Sequence, residues 1–227
     1  MPNIKTAIVT GTSRGIGKAL VQALQSDGYE VFATTVNLYP HDPLDHVTFV
    51  SLDLTDKHSI QECIDTIRSQ TKHIDLLINN AGVLNDENDI ELHTDKLRST
   101  LEVNLIGTVE FTEHILPYMK TGGQIINVSS SAGSLQYTQQ AKSHFPGHYP
   151  AYKISKAALN MYTVTLAERL ASHNIRVSSV HPGWVRTEMG GDEATITPEE
   201  AAQGILLHIK SDAPTGHFWY KDTEIPW

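Results

Sequence analysis

Short aliphatic and β-branched runs alternate with longer stretches of helical patterning along the whole chain. Residues 4–10, 29–35, 47–52, 74–79, 124–130 and 175–181 read as strands, with a weaker seventh near 217–220. Between them, 15–27, 56–70, 94–119, 149–172 and 198–209 read as helices. Ala7-Ile8-Val9 and Leu76-Leu77-Ile78 are apolar at every position instead of every second one. Strands buried on both faces look like this, and their alternation with helices predicts a parallel sheet joined by right-handed crossovers. The expected class is α/β: a doubly wound parallel sheet of about seven strands, helices on both faces, filling residues 1–227 as one domain. Irregular stretches fall at 37–46, 85–91, 134–148 and 190–197. All but the first follow strands or strand-like motifs, where an open sheet of this kind places its ligand.

Composition narrows the partners more than the fold. Hydrophobic residues are 40% and charged residues 19% of the 227, too apolar a balance for a disordered chain. Acidic residues outnumber basic ones by 26 to 17, a net charge of −9, which argues against nucleic acid as a partner. One cysteine builds neither a disulfide framework nor a thiolate zinc cluster. No apolar run approaches the roughly 18 residues of a membrane span, and the opening stretch reads as a strand, not a leader. A cytoplasmic protein with no membrane partner is expected. Twelve histidines raise the question of a metal, but none stands in H-E-x-x-H, and His144 and His148 lack a carboxylate at ligand spacing. No metal is expected. Cys63 shares a helical face with Ile60, Ile64 and Ile67 and reads as core, and Asn85-Asp86-Glu87-Asn88-Asp89 reads as a solvated loop.

The first strand runs through Thr10-Gly11-Thr12-Ser13-Arg14-Gly15-Ile16-Gly17 into the first helix. Glycines let the backbone turn tightly and approach a pyrophosphate, while the helix N-terminus adds unpaired N–H donors and a positive dipole end. The spacing is G-x-x-x-G-x-G, and its position between strand and helix marks a nucleotide site. An NAD site carries Asp or Glu at the end of the second strand. Here that end reads Ala33-Thr34-Thr35-Val36-Asn37, with no carboxylate to repel a 2′-phosphate, while Arg14 places a cation in the loop. NADP(H) is therefore expected over NAD(H). Asp53, after the third strand, is placed either to hold an adenine amino group or to close a turn.

Tyr152 and Lys156 are four apart, so they share a helical face. A nearby ammonium, helped by a bound cationic nicotinamide, favours phenolate, which predicts a tyrosine pKa below its usual value near 10. Tyr149 and Lys153 repeat the spacing one turn earlier, but Pro150 belongs in the first helical turn and leaves Tyr149 at its frayed end. Small residues follow Lys156, which favours the Tyr152 and Lys156 pair. Ser129-Ser130-Ser131 ends a strand, where a hydroxyl can bond a substrate oxygen whose charge changes. Asn104 lies inside a helical pattern, either in a hydrogen-bond relay or as an exposed polar position.

Together these residues resemble the short-chain dehydrogenase/reductase family. The glycine loop, Asn79-Asn80-Ala81-Gly82, the set Asn104, Ser130, Tyr152 and Lys156, and Pro182-Gly183-Trp184-Val185-Arg186-Thr187 match its motifs in its order. The segments from His181 to Gly191 and Thr197 to Glu200, with the closing Ile225-Pro226-Trp227, resemble the C-factor and sniffer-type carbonyl reductase branch. The resemblance implies a Rossmann fold and NADP(H)-dependent oxidoreduction of a small-molecule carbonyl or alcohol, with Asn104, Ser130, Tyr152 and Lys156 catalytic. It implies a cofactor held by Gly11, Ser13, Arg14, Gly15, Ile16, Gly17, Asp53, Leu54, Asn80, Ala81, Gly82, Tyr152, Lys156, Pro182, Gly183, Val185 and Thr187, without a metal. Helices 94–119 and 149–172 offer a homo-oligomer face by the same analogy. The 22-residue separation of Ser130 and Tyr152 exceeds the family's usual gap, so an extra loop is expected at 135–150. Val36 stands where many NADP-dependent members carry a basic residue, and a short region after Thr187 implies an open pocket. The rival reading is a sensor or signalling protein that binds the cofactor without turnover.

Overall fold

A computed structural model describes residues 4–38, 44–140 and 148–227. The chain runs β1 (Thr6–Val9), α1 (Gly15–Ser26), β2 (Glu30–Thr35), β3 (Val47–Ser51), α2 (Lys57–Gln70) and β4 (Ile74–Asn79). It continues through α3 (Thr94–Leu101), a π-helical turn (Glu102–Gly107), α4 (Thr108–Ile115) and β5 (Met119–Val128). Last come α5 (Leu135–Gln139), α6 (Pro150–Leu170), β6 (Arg176–Val180), α7 (Pro198–Lys210), β7 (Phe218–Tyr220) and β8 (Thr223–Glu224). One sheet holds all the strands, ordered β3-β2-β1-β4-β5-β6-β7-β8 and parallel except for β7 with β8.

The uninterrupted apolar strands serve two cores. Ala7 and Val9 face the core under α1 and α7, while Ile8 between them faces the one under α2, α4 and α6. Leu77 likewise joins the second core while Leu76 and Ile78 join the first. After β1 the chain builds outward to β3, then returns to place β4 on β1's other side. That reversal opens a crevice beyond the carboxyl ends of β1 and β4, where doubly wound sheets bind ligands.

Three expectations change. The sheet has eight strands, because the exposed pair Thr223–Glu224 adds an antiparallel edge too short and polar to show a period. The helix expected over 94–119 breaks into α3, the π-helical turn and α4, then a 3₁₀ turn at Leu116–Tyr118. A Cβ on Gly107 would lie 1.9 Å from the Leu54 carbonyl oxygen, so the π-helical turn presses on the loop before α2. The loop expected over 135–150 begins with α5, and its middle, residues 141–147 with His144, lies outside the described residues. Among the described residues no helix is long and apolar enough to cross a membrane.

Candidate active site

A cleft of about 850 Å³ occupies the crevice. Its wall includes the glycine loop, Thr35–Asn37 at the end of β2, the segment after β4, Ser130, Tyr152 and Lys156, and the segment after β6. Gly11 and Gly15 adopt left-handed φ values of 70° and 55°. A Cβ on Gly11 would stand 2.8 Å from Ala81 Cα, and one on Gly17 only 2.1 Å from the Gly11 carbonyl oxygen. Asn80 sews the loop to β4: its Nδ2 donates to the carbonyls of Thr10 (2.9 Å) and Gly11 (3.0 Å). Thr10 Oγ1 accepts the amides of Asn80 and Ala81, both at 3.0 Å. Arg14 occupies the N-cap of α1 without capping it through its side chain, which leaves the first-turn amides without that partner. Close-packed glycines at such a helix start fit the pyrophosphate of a dinucleotide.

Arg14 reaches across the rim to Glu188 at 3.0 Å, with both side chains about three-quarters exposed (75% and 74%). Such a pair stabilises little and parts readily. Thr35, Val36 and Asn37 put no carboxylate on the wall at this end. Asp53 and Leu54 lie off the cleft wall. Asp53 Oδ1 accepts the Thr55 amide (2.9 Å) and hydroxyl (2.7 Å), which is the turn-closing role. Leu54 is buried beneath Gly107.

Ser130, Tyr152 and Lys156 come together on the floor, each 5% exposed or less. Ser130 leaves the end of β5, and its Oγ accepts the Ala132 amide at 3.1 Å. Tyr152 shares a side-chain hydrogen bond with Ser130. Lys156 Nζ donates to the Val128 carbonyl at 2.8 Å and lies 5.6 Å from the centre of the Tyr152 ring. Burial pushes the Tyr152 phenol up to about 12, with the Ser130 bond a smaller opposing effect, and pushes Lys156 down to about 8. In the protein alone burial outweighs the nearby ammonium: both groups are desolvated, and desolvation disfavours each charged form. A buried phenol of this kind keeps its proton at neutral pH.

Asn104 is 1% exposed, so the exposed reading fails. From the π-helical turn its Oδ1 accepts the Val83 amide (2.8 Å), while Nδ2 donates to the Val83 carbonyl (2.9 Å) and Ser155 Oγ (3.0 Å). It ties the segment after β4 to α6. Gly82 leaves room beside it: a Cβ there would be 3.4 Å from Asn104 Oδ1 and 3.5 Å from Lys156 Nζ. Pro182, Gly183, Val185 and Thr187 line the same cleft. Gly183 has φ 95°, and Trp184 Nε1 donates to the Gly190 carbonyl at 2.8 Å, folding the segment after Thr187 back on itself.

Residues 5–196 match the family model described as short chain dehydrogenase. The chain belongs to this family. Carbonyl reductase family member 4 of Xenopus laevis is 31% identical over 233 aligned residues, covering 94% of each protein. An NADPH-bound carbonyl reductase from chicken fatty liver superposes with a TM-score of 0.84 at 29% identity, over 99% of this chain and 100% of that one. The carbonyl reductase Sniffer of D. melanogaster does so at 0.87 and 26%, with the same coverage. These similarities bear out the carbonyl reductase and sniffer-type resemblance.

In this short-chain dehydrogenase the wall also holds residues that were not expected among the site residues. His181, Trp184, Glu188 and Met189 surround the motif residues after β6, and Val83, Leu84, Asn85 and Glu87 face the cleft after β4. Their nearness to recognised motifs was the only signal available. Asp86 corrects the solvated-loop expectation: it is 1% exposed, because its carboxylate turns inward to the backbone of α6. Nothing in an acidic loop distinguishes that residue from its neighbours until α6 is in place.

Proposed function

We propose that this oxidoreductase is an NADP(H)-dependent carbonyl reductase in which Tyr152 is the general acid. The observation that carries the reading is the buried set of Ser130, Tyr152 and Lys156 on the floor of a cleft whose other end is the glycine cradle. When bound, the nicotinamide supplies or accepts a hydride. The cradle of Gly11, Gly15, Ile16 and Gly17, with Ser13, would hold the pyrophosphate. Arg14, released from Glu188, would meet a 2′-phosphate that no carboxylate at Thr35–Asn37 repels. Asn80, Ala81 and Gly82 would flank the cofactor on one side, with Pro182, Gly183, Val185 and Thr187 on the other.

The chain's own part is proton delivery. Ser130 orients the carbonyl oxygen of the substrate, and the Tyr152 hydroxyl gives it a proton as negative charge develops there. A phenol that burial keeps protonated is suited to that direction of reaction. Lys156 loses its proton at about 8, so it remains largely charged at neutral pH and can restore the one that Tyr152 gives up. Both Asn104 side-chain donors are engaged, so a relay onward from Lys156 would use the remaining lone pair of its Oδ1 or its backbone. The net charge of −9 and single cysteine suit a cytoplasmic enzyme.

The test is loss of nicotinamide absorbance across aldehydes, ketones and quinones, with NADPH and NADH in parallel and Arg14→Ala beside the parent. The reading expects turnover of at least one carbonyl class, a preference for NADPH, and a KM for NADPH raised more than that for NADH in Arg14→Ala. Binding without turnover across the panel would overturn the catalytic reading, and equal use of both cofactors would overturn the preference.

A further inference from the structure

Catalysis of the proposed kind needs Tyr152 held in place, and Tyr152 sits at the third position of α6, where a helix is most prone to fray. The N-cap residue is Tyr149, in a left-handed conformation with φ 60° and ψ 50°. Tyrosine lacks the short side-chain oxygen with which Ser, Thr, Asp or Asn caps the second and third amides of its own helix. Those amides belong to Ala151 and Tyr152. Both are taken by Asp86: its Oδ2 accepts Ala151 N–H at 2.6 Å and Tyr152 N–H at 3.4 Å. The cap is thus supplied from a loop 65 residues earlier in the chain. A carboxylate also meets the positive end of the helix dipole there.

The same loop lines the cleft. Val83, Leu84, Asn85 and Glu87 stand on its wall, and Asn104 grips both the amide and the carbonyl of Val83. The loop is pinned at one end to the π-helical turn and at the other to the start of α6. We propose that Asp86 is a positioning residue: it fixes the first turn of α6, and with it the Tyr152 hydroxyl, against Ser130. The proposal rests on the reductase reading. It adds that the alignment of the acid is set from the cleft-lining loop after β4.

The experiment compares parent, Asp86→Ala and Asp86→Asn for kcat, for NADPH Kd and for amide exchange at Ala151 and Tyr152. A displacement near 1 Å can cost a hundredfold in rate, so Asp86→Ala should lower kcat by at least about 30-fold. Asp86→Asn keeps an acceptor oxygen and should stay within about threefold of the parent. NADPH Kd should be unchanged in both, because Asp86 is buried off the cleft wall with its carboxylate turned to α6. The two amides should exchange faster in Asp86→Ala alone. An unchanged kcat in Asp86→Ala, a joint loss of binding and turnover, or equal damage in Asp86→Asn would overturn the proposal. If Asp86→Ala does not fold, Asp86→Glu shifts the oxygens off the amides and should lower kcat about tenfold with binding intact; an unchanged kcat there is equally fatal. A parent that binds NADPH without turnover counts against the reductase reading instead, and amide exchange still decides whether the cap exists.

Discussion

Gly17→Ala places one methyl group where the glycine loop has no room. The new Cβ would stand 2.1 Å from the Gly11 carbonyl oxygen, 2.6 Å from Asn80 Nδ2 and 2.9 Å from the Gly11 carbonyl carbon. Ordinary contacts of this kind begin near 3.4 Å, so the carbonyl must retreat by more than an ångström. It has nowhere to go, because Gly11 already backs onto Ala81 and Asn80 holds that carbonyl. Helix propensity acts the other way, favouring alanine by about 1 kcal/mol. Overpacking costs about 1–3 kcal/mol, so the net effect on stability is small to moderate, roughly 0–2 kcal/mol. Binding should suffer more, since the displaced groups belong to the proposed pyrophosphate cradle. A loss of about 50-fold or more in NADPH affinity is expected, equal to roughly 2.3 kcal/mol. Fluorescence titration with NADPH alongside a thermal melt separates the two effects. Gly28→Ala is the control: its φ of 84° makes it mildly destabilising, yet nothing lies within 4 Å of its Cβ, so binding should not change. Gly17→Ala binding NADPH within about twofold of the parent would refute the steric argument.

His208 is buried beneath Trp219 and beside Arg176, and burial, then the arginine, depress its pKa from 6.5 to about 4. Above pH 6.5 it is neutral folded or unfolded; below that the unfolded chain takes up a proton that the fold refuses. Stability should therefore decline between pH 6.5 and 4 by up to about 3 kcal/mol, and His208→Gln should flatten that slope in denaturant titrations. Asn104→Ala strips partners from both backbone groups of Val83 and from Ser155. Buried unsatisfied groups cost about 1–3 kcal/mol each, so chemical denaturation should show a loss of at least about 2 kcal/mol, with kcat reduced as well.

The strand positions and the glycine cradle were legible because they rest on local chemistry. Ala7-Ile8-Val9 is apolar throughout since its side chains feed two cores, and glycine alone fits where Gly11 meets Ala81. What stayed hidden depends on contacts distant in sequence. The break at Glu102–Gly107 accompanies the close approach of Gly107 to Leu54 and the grip of Asn104 on Val83, neither of which alters helical periodicity. Asp86 reads as one acid among several until α6 places two amides against it. Glu188 meets Arg14 only because the segments after β1 and β6 line one cleft. The upward push of burial on the Tyr152 pKa stayed hidden because spacing reveals the nearby ammonium but not the depth at which both groups are buried.

The central claim is that Tyr152 delivers the proton. Its most direct test is Tyr152→Phe, a change of one oxygen, measured for NADPH affinity and for kcat on the best carbonyl substrate of the panel. General acid catalysis contributes about 10²–10⁴-fold, so kcat should fall by at least a hundredfold while NADPH Kd stays within about twofold. A variant that binds NADPH normally and still turns over at the parent rate would contradict the account.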